Sequence, residues 1–220
     1  MKRLAPFVGL VLVLVACGTD VAPTPASACP TEAPTSASAQ ATLENARFAT
    51  MQIGGAVEGE VVMELDSDGA PLATASFVAL ARCGFYDGVT FHRVIADFVI
   101  QAGDPGTRDN RGDFEGVGQG DPGYEFEIEP PADGLRYDPH VVAMANDGRA
   151  NGSQFFITLA DLDAQLRAVG VYSILGTVVE GTDIVDAVAQ VPVSATDLPL
   201  TPVIVESITI SAGDEPSSGG

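Results

Sequence analysis

Apolar side chains recur along this chain in two rhythms, and the shorter one dominates. In Glu60-Val61-Val62-Met63-Glu64-Leu65, Val61, Met63 and Leu65 fall at every second place with acidic residues at both Glu60 and Glu64, the spacing of a strand with one wet face. Val89 to Ala102 reads as two short strands turned about Ala96-Asp97. Val141–Ala145, Phe155–Leu159, Tyr172–Val179 and Val203–Ile210 read as further strands. The helical rhythm shows in two places. Pro71 opens one helix, in which Phe77, Leu80 and Ala81 stand at i, i+3 and i+4 and Gly84 supplies the stop. Gly181-Thr182 begins a shorter one with Ile184, Val185 and Val188 along one side. Gly103 to Gly123, rich in Gly, Asp and Pro, is loop. Many short strands with two helices predict a mainly β fold, a closed antiparallel barrel and not a parallel sheet.

The flanks differ from this body. A basic start, Met1-Lys2-Arg3, precedes a thirteen-residue apolar run from Leu4 to Ala16. A membrane-spanning helix needs about 20 such residues, so residues 1–16 read as a signal peptide. The run ends in small residues before Cys17, which resembles the lipobox of bacterial lipoproteins. That resemblance implies a lipid on Cys17 and attachment to the extracytoplasmic face of the cell membrane. Ordinary secretory cleavage with Cys17 as a bystander is the other reading. Residues 17–45, dominated by Ala, Pro, Ser and Thr, are expected to form a disordered spacer, and residues 212–220 a flexible tail. Residues 46–211 then make one domain, too short for two well-filled cores.

The formal net charge of −20 repels phosphate backbones and argues against nucleic acid as a partner. It argues equally against lying flat on an anionic membrane. Of the three cysteines, Cys29 and Cys83 remain once Cys17 is set aside. An oxidising compartment would permit a bond between them. The reading adopted is a free linker thiol at Cys29 and a small buried residue at Cys83. No Cys-x-x-Cys pair occurs and His92 and His140 are far apart, so no structural zinc is implied.

The chemistry concentrates in two segments, Phe91-His92-Arg93-Val94-Ile95-Ala96-Asp97-Phe98-Val99-Ile100-Gln101-Ala102-Gly103-Asp104 and Met144-Ala145-Asn146-Asp147 with Asn151-Gly152-Ser153-Gln154-Phe155-Phe156-Ile157. Together they resemble the cyclophilins, the peptidyl-prolyl cis-trans isomerases, over about Ala46 to Ile210. The resemblance implies an eight-stranded barrel capped by two α-helices. It implies rotation of X-Pro bonds in exported proteins, with no cofactor and no metal, by a chain expected to act as a monomer on proline-containing polypeptides.

Such catalysis needs a slot for proline and a donor aimed at the twisted amide. The X-Pro bond rotates slowly because of C–N double-bond character, with a barrier of about 18–20 kcal/mol. Twisting returns a lone pair to nitrogen, and a cation facing that lone pair favours the twisted state over both planar ones. By the resemblance Arg93 is the catalytic cation and Gln101 holds the neighbouring carbonyl. An even separation of eight residues would put both on one strand face. Phe98, Val99 and Phe156 line the proline slot, Asn146 pairs its backbone with an extended peptide beside Ala145, and Gln154 stands on the rim. Ala160 to Gly170 departs from the family pattern and the chain has no Trp, so Leu166 is the substitute on the pocket wall, with Tyr172 nearby. That altered segment motivates the alternative of a catalytically weak Pro-peptide binding module tethered to the cell envelope. His92, next to Arg93, should face the opposite way and pack inward.

Gly118-Gln119-Gly120-Asp121-Pro122-Gly123 fits G-x-G-x-x-G literally, but it follows no apolar strand and opens no helix, so it is not a dinucleotide site. Asp109 to Asp121 lacks the glycine and glutamate that a calcium loop requires.

Overall fold

The computed structural model describes residues 28–109 and 115–213. The proposed signal peptide and Cys17 lie outside the described residues, as does most of the tail.

Eight antiparallel strands form one sheet: β1 (Phe48–Gly55), β2 (Gly59–Leu65), β3 (Arg93–Ile95), β4 (Val99–Ala102), β5 (Val141–Asn146), β6 (Asn151–Thr158), β7 (Ile174–Glu180) and β8 (Val203–Ser211). Their order, β3-β4-β6-β5-β7-β2-β1-β8, leaves β3 and β8 at the edges. The sheet curls until those edges approach. The segment leading into β3 closes the seam: Gly88 N–H donates to Val205 O at 2.8 Å, Val205 N–H to Val89 O at 2.8 Å, and Phe91 N–H to Val203 O at 2.9 Å. The barrel expected from the strand rhythm is therefore present, joined along that seam by residues outside the regular strands.

Strand alternation divides the apolar residues between two compartments. Inside the curl, Met51, Met63, Met144, Phe155, Ile157, Leu175 and Val205 are buried with the inner face of a helix, Pro71–Arg82. Outside it, Val99, Tyr137, Ala143, Phe156, Leu162, Leu166 and Ile174 form a second buried cluster. The consecutive phenylalanines of β6 show the division. Phe155 meets Phe77, Tyr86 and Phe91 edge-on inside, whereas Phe156 meets Tyr172 outside at 5.3 Å.

The expectation of two helices is extended by the structure, which has four α-helices among the described residues: α1 (Ser36–Leu43), α2 (Pro71–Arg82), α3 (Asp163–Val169) and α4 (Thr182–Val188). The N-cap residue of α2, Ala70, has no side chain to cap with, and a distant carboxylate takes its place. Glu129 accepts from Leu72 N–H at 3.0 Å and Ala73 N–H at 2.8 Å, satisfying two of the donors a helix start leaves open.

Two expectations are corrected. The spacer predicted to run to residue 45 gives way to ordered structure, because Thr35 and Ser38 form a capping box that starts α1 and Ala39 is buried. The free-thiol reading of Cys29 and Cys83 also fails, since they are joined in a disulfide across 54 residues. The bond holds the segment before α1 to the end of α2. Arg82 adds hydrogen bonds to Thr42 O at 2.6 Å and Glu44 O at 3.4 Å.

Candidate active site

A three-residue turn sets the geometry. β3 and β4 form a hairpin with Ile95 opposite Val99, Val94 opposite Ile100 and Arg93 opposite Gln101. Its tip holds Asp97 at φ 59°, and Phe98 N–H donates back to Ile95 O at 3.1 Å. Directly opposed residues share a face. Arg93 and Gln101 therefore emerge together because they are cross-strand partners. The even separation in sequence matches only because the register is centred on Asp97. In the next strand Gln101 stands opposite Phe156, which places the phenyl ring on the same outer face.

These residues surround one pocket of about 180 Å³, lined by Arg93, Phe98, Val99, Gln101, Ala145, Asn146, Phe156, Leu166 and Tyr172. Val99 and Phe156 form a buried apolar floor, and Leu166, the buried residue of α3, closes one wall. Arg93 lies 5.7 Å from the Phe98 ring centre, so its charge rests against an aromatic face. Gln154 lies just beyond, lining a wider hollow of about 430 Å³ that shares Gln101, Ala145 and Asn146 with the first. The Asn146 side chain is occupied locally, donating to Val171 O and accepting from Gly148 N–H, both at 2.9 Å.

The polar groups form a chain. Arg93 Nη1 lies 3.4 Å from Gln101 Oε1, and Gln101 Nε2 donates to Gln154 Oε1 at 3.0 Å. Gln154 Nε2 in turn donates to Gly118 O at 2.9 Å and Gly120 O at 2.8 Å. Sequence reasoning missed the last partners, and it missed Tyr137. The Tyr137 hydroxyl donates to Tyr172 O at 2.8 Å and accepts from Tyr172 N–H at 3.0 Å, fixing the pocket wall. Burial pushes that hydroxyl above the ordinary phenol range and keeps it protonated. Among the described residues no group of three or more His, Cys, Asp or Glu is placed to hold a metal ion.

His92 faces inward, as expected. It is buried, with the Thr90 backbone and the Gln154 side chain as its polar neighbours. Burial lowers its pKa from 6.5; nearby Asp104 opposes the shift and Arg93 adds to it. A depressed histidine pKa means the unfolded chain takes up the proton first as pH falls. Stability is thus full above pH 6.5 and declines below it, until the folded imidazole itself is protonated. Thermal unfolding of wild type and His92→Gln between pH 7.5 and 5 checks this. Wild type should lose more melting temperature than the variant over that interval; parallel curves would refute it.

The sequence profile described as "Cyclophilin type peptidyl-prolyl cis-trans isomerase/CLD" matches residues 48–210. Peptidyl-prolyl cis-trans isomerase A of Mycobacterium tuberculosis is 38% identical over 174 residues, covering 70% of this chain and 87% of that protein. Peptidyl-prolyl cis-trans isomerase-like 3 of Dictyostelium discoideum is 36% identical over 155 residues, covering 70% and 91%. A Cryptosporidium parvum cyclophilin-type isomerase crystallised in the presence of the dipeptide Ala-Pro superposes with a TM-score of 0.63 at 29% identity, covering 74% of this chain and 98% of that one.

Proposed function

This chain belongs to the cyclophilin-type peptidyl-prolyl cis-trans isomerases, and we propose that Arg93 and Gln101 carry out the rotation at the mouth of the Phe98–Val99–Phe156 pocket. The observation that carries this reading is their placement as cross-strand partners lining a hollow whose floor is Val99 and Phe156. Proline enters against Val99 and Phe156, where its ring displaces water without losing hydrogen bonds. Gln101 keeps one amide N–H beyond its bond to Gln154 and uses it to hold the carbonyl preceding proline. As the bond twists, Arg93 donates to the nitrogen whose lone pair appears only in that state. Both groups are in place before the substrate arrives, so little reorganisation is required. Acceleration of cis/trans exchange in an Ala-Pro peptide, followed by NMR, tests the reading; exchange no faster than in the free peptide defeats it.

The setting we propose is outside the cytoplasm, with proline-containing polypeptides as clients and a lipid on Cys17 as the tether. Two features support it: the apolar run that ends in small residues and Cys17, and the Cys29–Cys83 disulfide, a bond that persists in oxidising compartments. Intact mass of the mature protein from a host that processes lipoproteins is the check. A chain beginning at Cys17 with added acyl mass is expected, and a chain cleaved elsewhere without it refutes the anchor.

A further inference from the structure

Gly118 and Gly120 belong to the G-x-G stretch that lacks the context of a dinucleotide site, yet both have structural reasons to be glycine. Gly118 has φ +80°, a conformation that side chains rarely tolerate. A Cβ on Gly120 would lie 2.0 Å from Asp104 Oδ1 and 2.9 Å from Pro105 Cδ. The turn is pressed against a carboxylate that is itself 1% exposed. Asp104 stands two residues beyond β4, the strand that carries Gln101. Its Oδ2 accepts from Gly118 N–H at 2.6 Å and its Oδ1 from Gly106 N–H at 2.8 Å. One buried side chain therefore links the end of β4 to the glycine turn.

The turn in turn determines which way two side-chain amides face. Carbonyl oxygens only accept, so Gly118 O and Gly120 O require the NH₂ end of Gln154. That leaves Gln154 Oε1 towards Gln101, which must present its own NH₂ end. Gln101 Oε1 is then turned to Arg93, a group that only donates. The direction of every bond in the chain follows from the two backbone carbonyls. A flipped Gln154 would face two acceptors with an acceptor and would leave Gln101 free to turn away from Arg93.

We propose that Asp104 is a positioning residue, which through the Gly118–Gly120 turn holds the amides of Gln154 and Gln101 in one orientation and so aims the Arg93 guanidinium. This rests on the reading of Arg93 and Gln101 given above. Asp104 touches no substrate and acts through residues that do.

Three variants test it. Asp104→Ala removes both acceptors. Asp104→Asn keeps an acceptor for one of the two backbone donors. Gly120→Ala displaces the turn from the carboxylate without altering any charge. The side-chain amide resonances of Gln101 and Gln154 and the Nε–Hε resonance of Arg93 should move or broaden in all three, least in Asp104→Asn. In active protein kcat should fall about 10-fold with KM within about 2-fold, the signature of misaim and not of lost binding. Should Asp104→Ala fail to fold, the other two variants decide. Folded variants with wild-type resonances at all three side chains would overturn the proposal, whatever their kcat. An inactive wild type would overturn the reading of Arg93 instead, and the resonances would still report on the positioning.

Discussion

Replacing Arg93 by alanine is expected to lower kcat/KM towards an X-Pro peptide by about 100- to 1,000-fold, the range seen when one preorganised donor to a developing charge is removed. Peptide affinity should change little, because the apolar floor of Val99 and Phe156 and the amide of Gln101 remain. The variant should also fold, since Arg93 is half-buried on the outer face and forms no salt bridge among the described residues. Its packing against the Phe98 ring is worth about 0.5–1 kcal/mol at a partly exposed site. A 100-fold loss corresponds to about 2.7 kcal/mol, so lost packing alone cannot produce it. Arg93→Lys separates charge from shape. It keeps the cation but loses the planar fork, and its kcat should lie between wild type and alanine. NMR exchange at saturating peptide isolates this step. Retention of more than about a tenth of wild-type kcat in the alanine variant would remove Arg93 from the role assigned to it.

Much of this site was legible because its residues sit close together in two short segments. Phe91 to Gln101 contains Arg93, Gln101 and two pocket residues on one hairpin, and Asn146 to Phe156 supplies the facing strand. Parity reached the correct face for Gln101 without knowledge of the turn. Asp104, by contrast, has no role legible in the sequence, because its partner Gly118 is 14 residues away across a loop without periodicity. The same loop looked like a failed motif. Its glycines are explained by the positive φ of Gly118 and by the approach of Asp104 to Gly120, neither of which has a sequence signature.

The helices divide in the same way. α2 shows its apolar side in Phe77, Leu80 and Ala81, all buried. α3 spans seven residues and buries Leu166 alone, too little pattern for a helical period. α1 buries only Ala39. β1 was also missed. Its inward residues, Ala49, Met51 and Ile53, alternate correctly, but the strand runs directly into Gly54-Gly55, which resembles a turn. Nor is an eight-residue helix stable alone in water, so α1 depends on what holds it.

That dependence gives the second large effect. Converting both Cys29 and Cys83 to alanine opens a loop of 54 residues that contains β1, β2 and α2. The loop-closure entropy returned to the unfolded chain is about 4 kcal/mol. For a domain of this size each kcal/mol moves the melting temperature by about 2–4 °C, so a fall of about 8–16 °C is expected. The two Arg82 hydrogen bonds to Thr42 and Glu44 are exposed and cannot replace the covalent link, as each contributes about 1 kcal/mol. Hydrogen exchange across Ser36–Leu43 should therefore rise well above that of β1 and β2 in the variant. Isomerase activity below the transition should be kept, because β3, β4, β6 and α3, which carry most of the pocket, lie outside the loop. Thermal unfolding of wild type with and without reductant, beside the double variant, checks all of this. Reduced wild type should match the variant, and a shift below about 2 °C in both would mean that the barrel and not the staple governs stability.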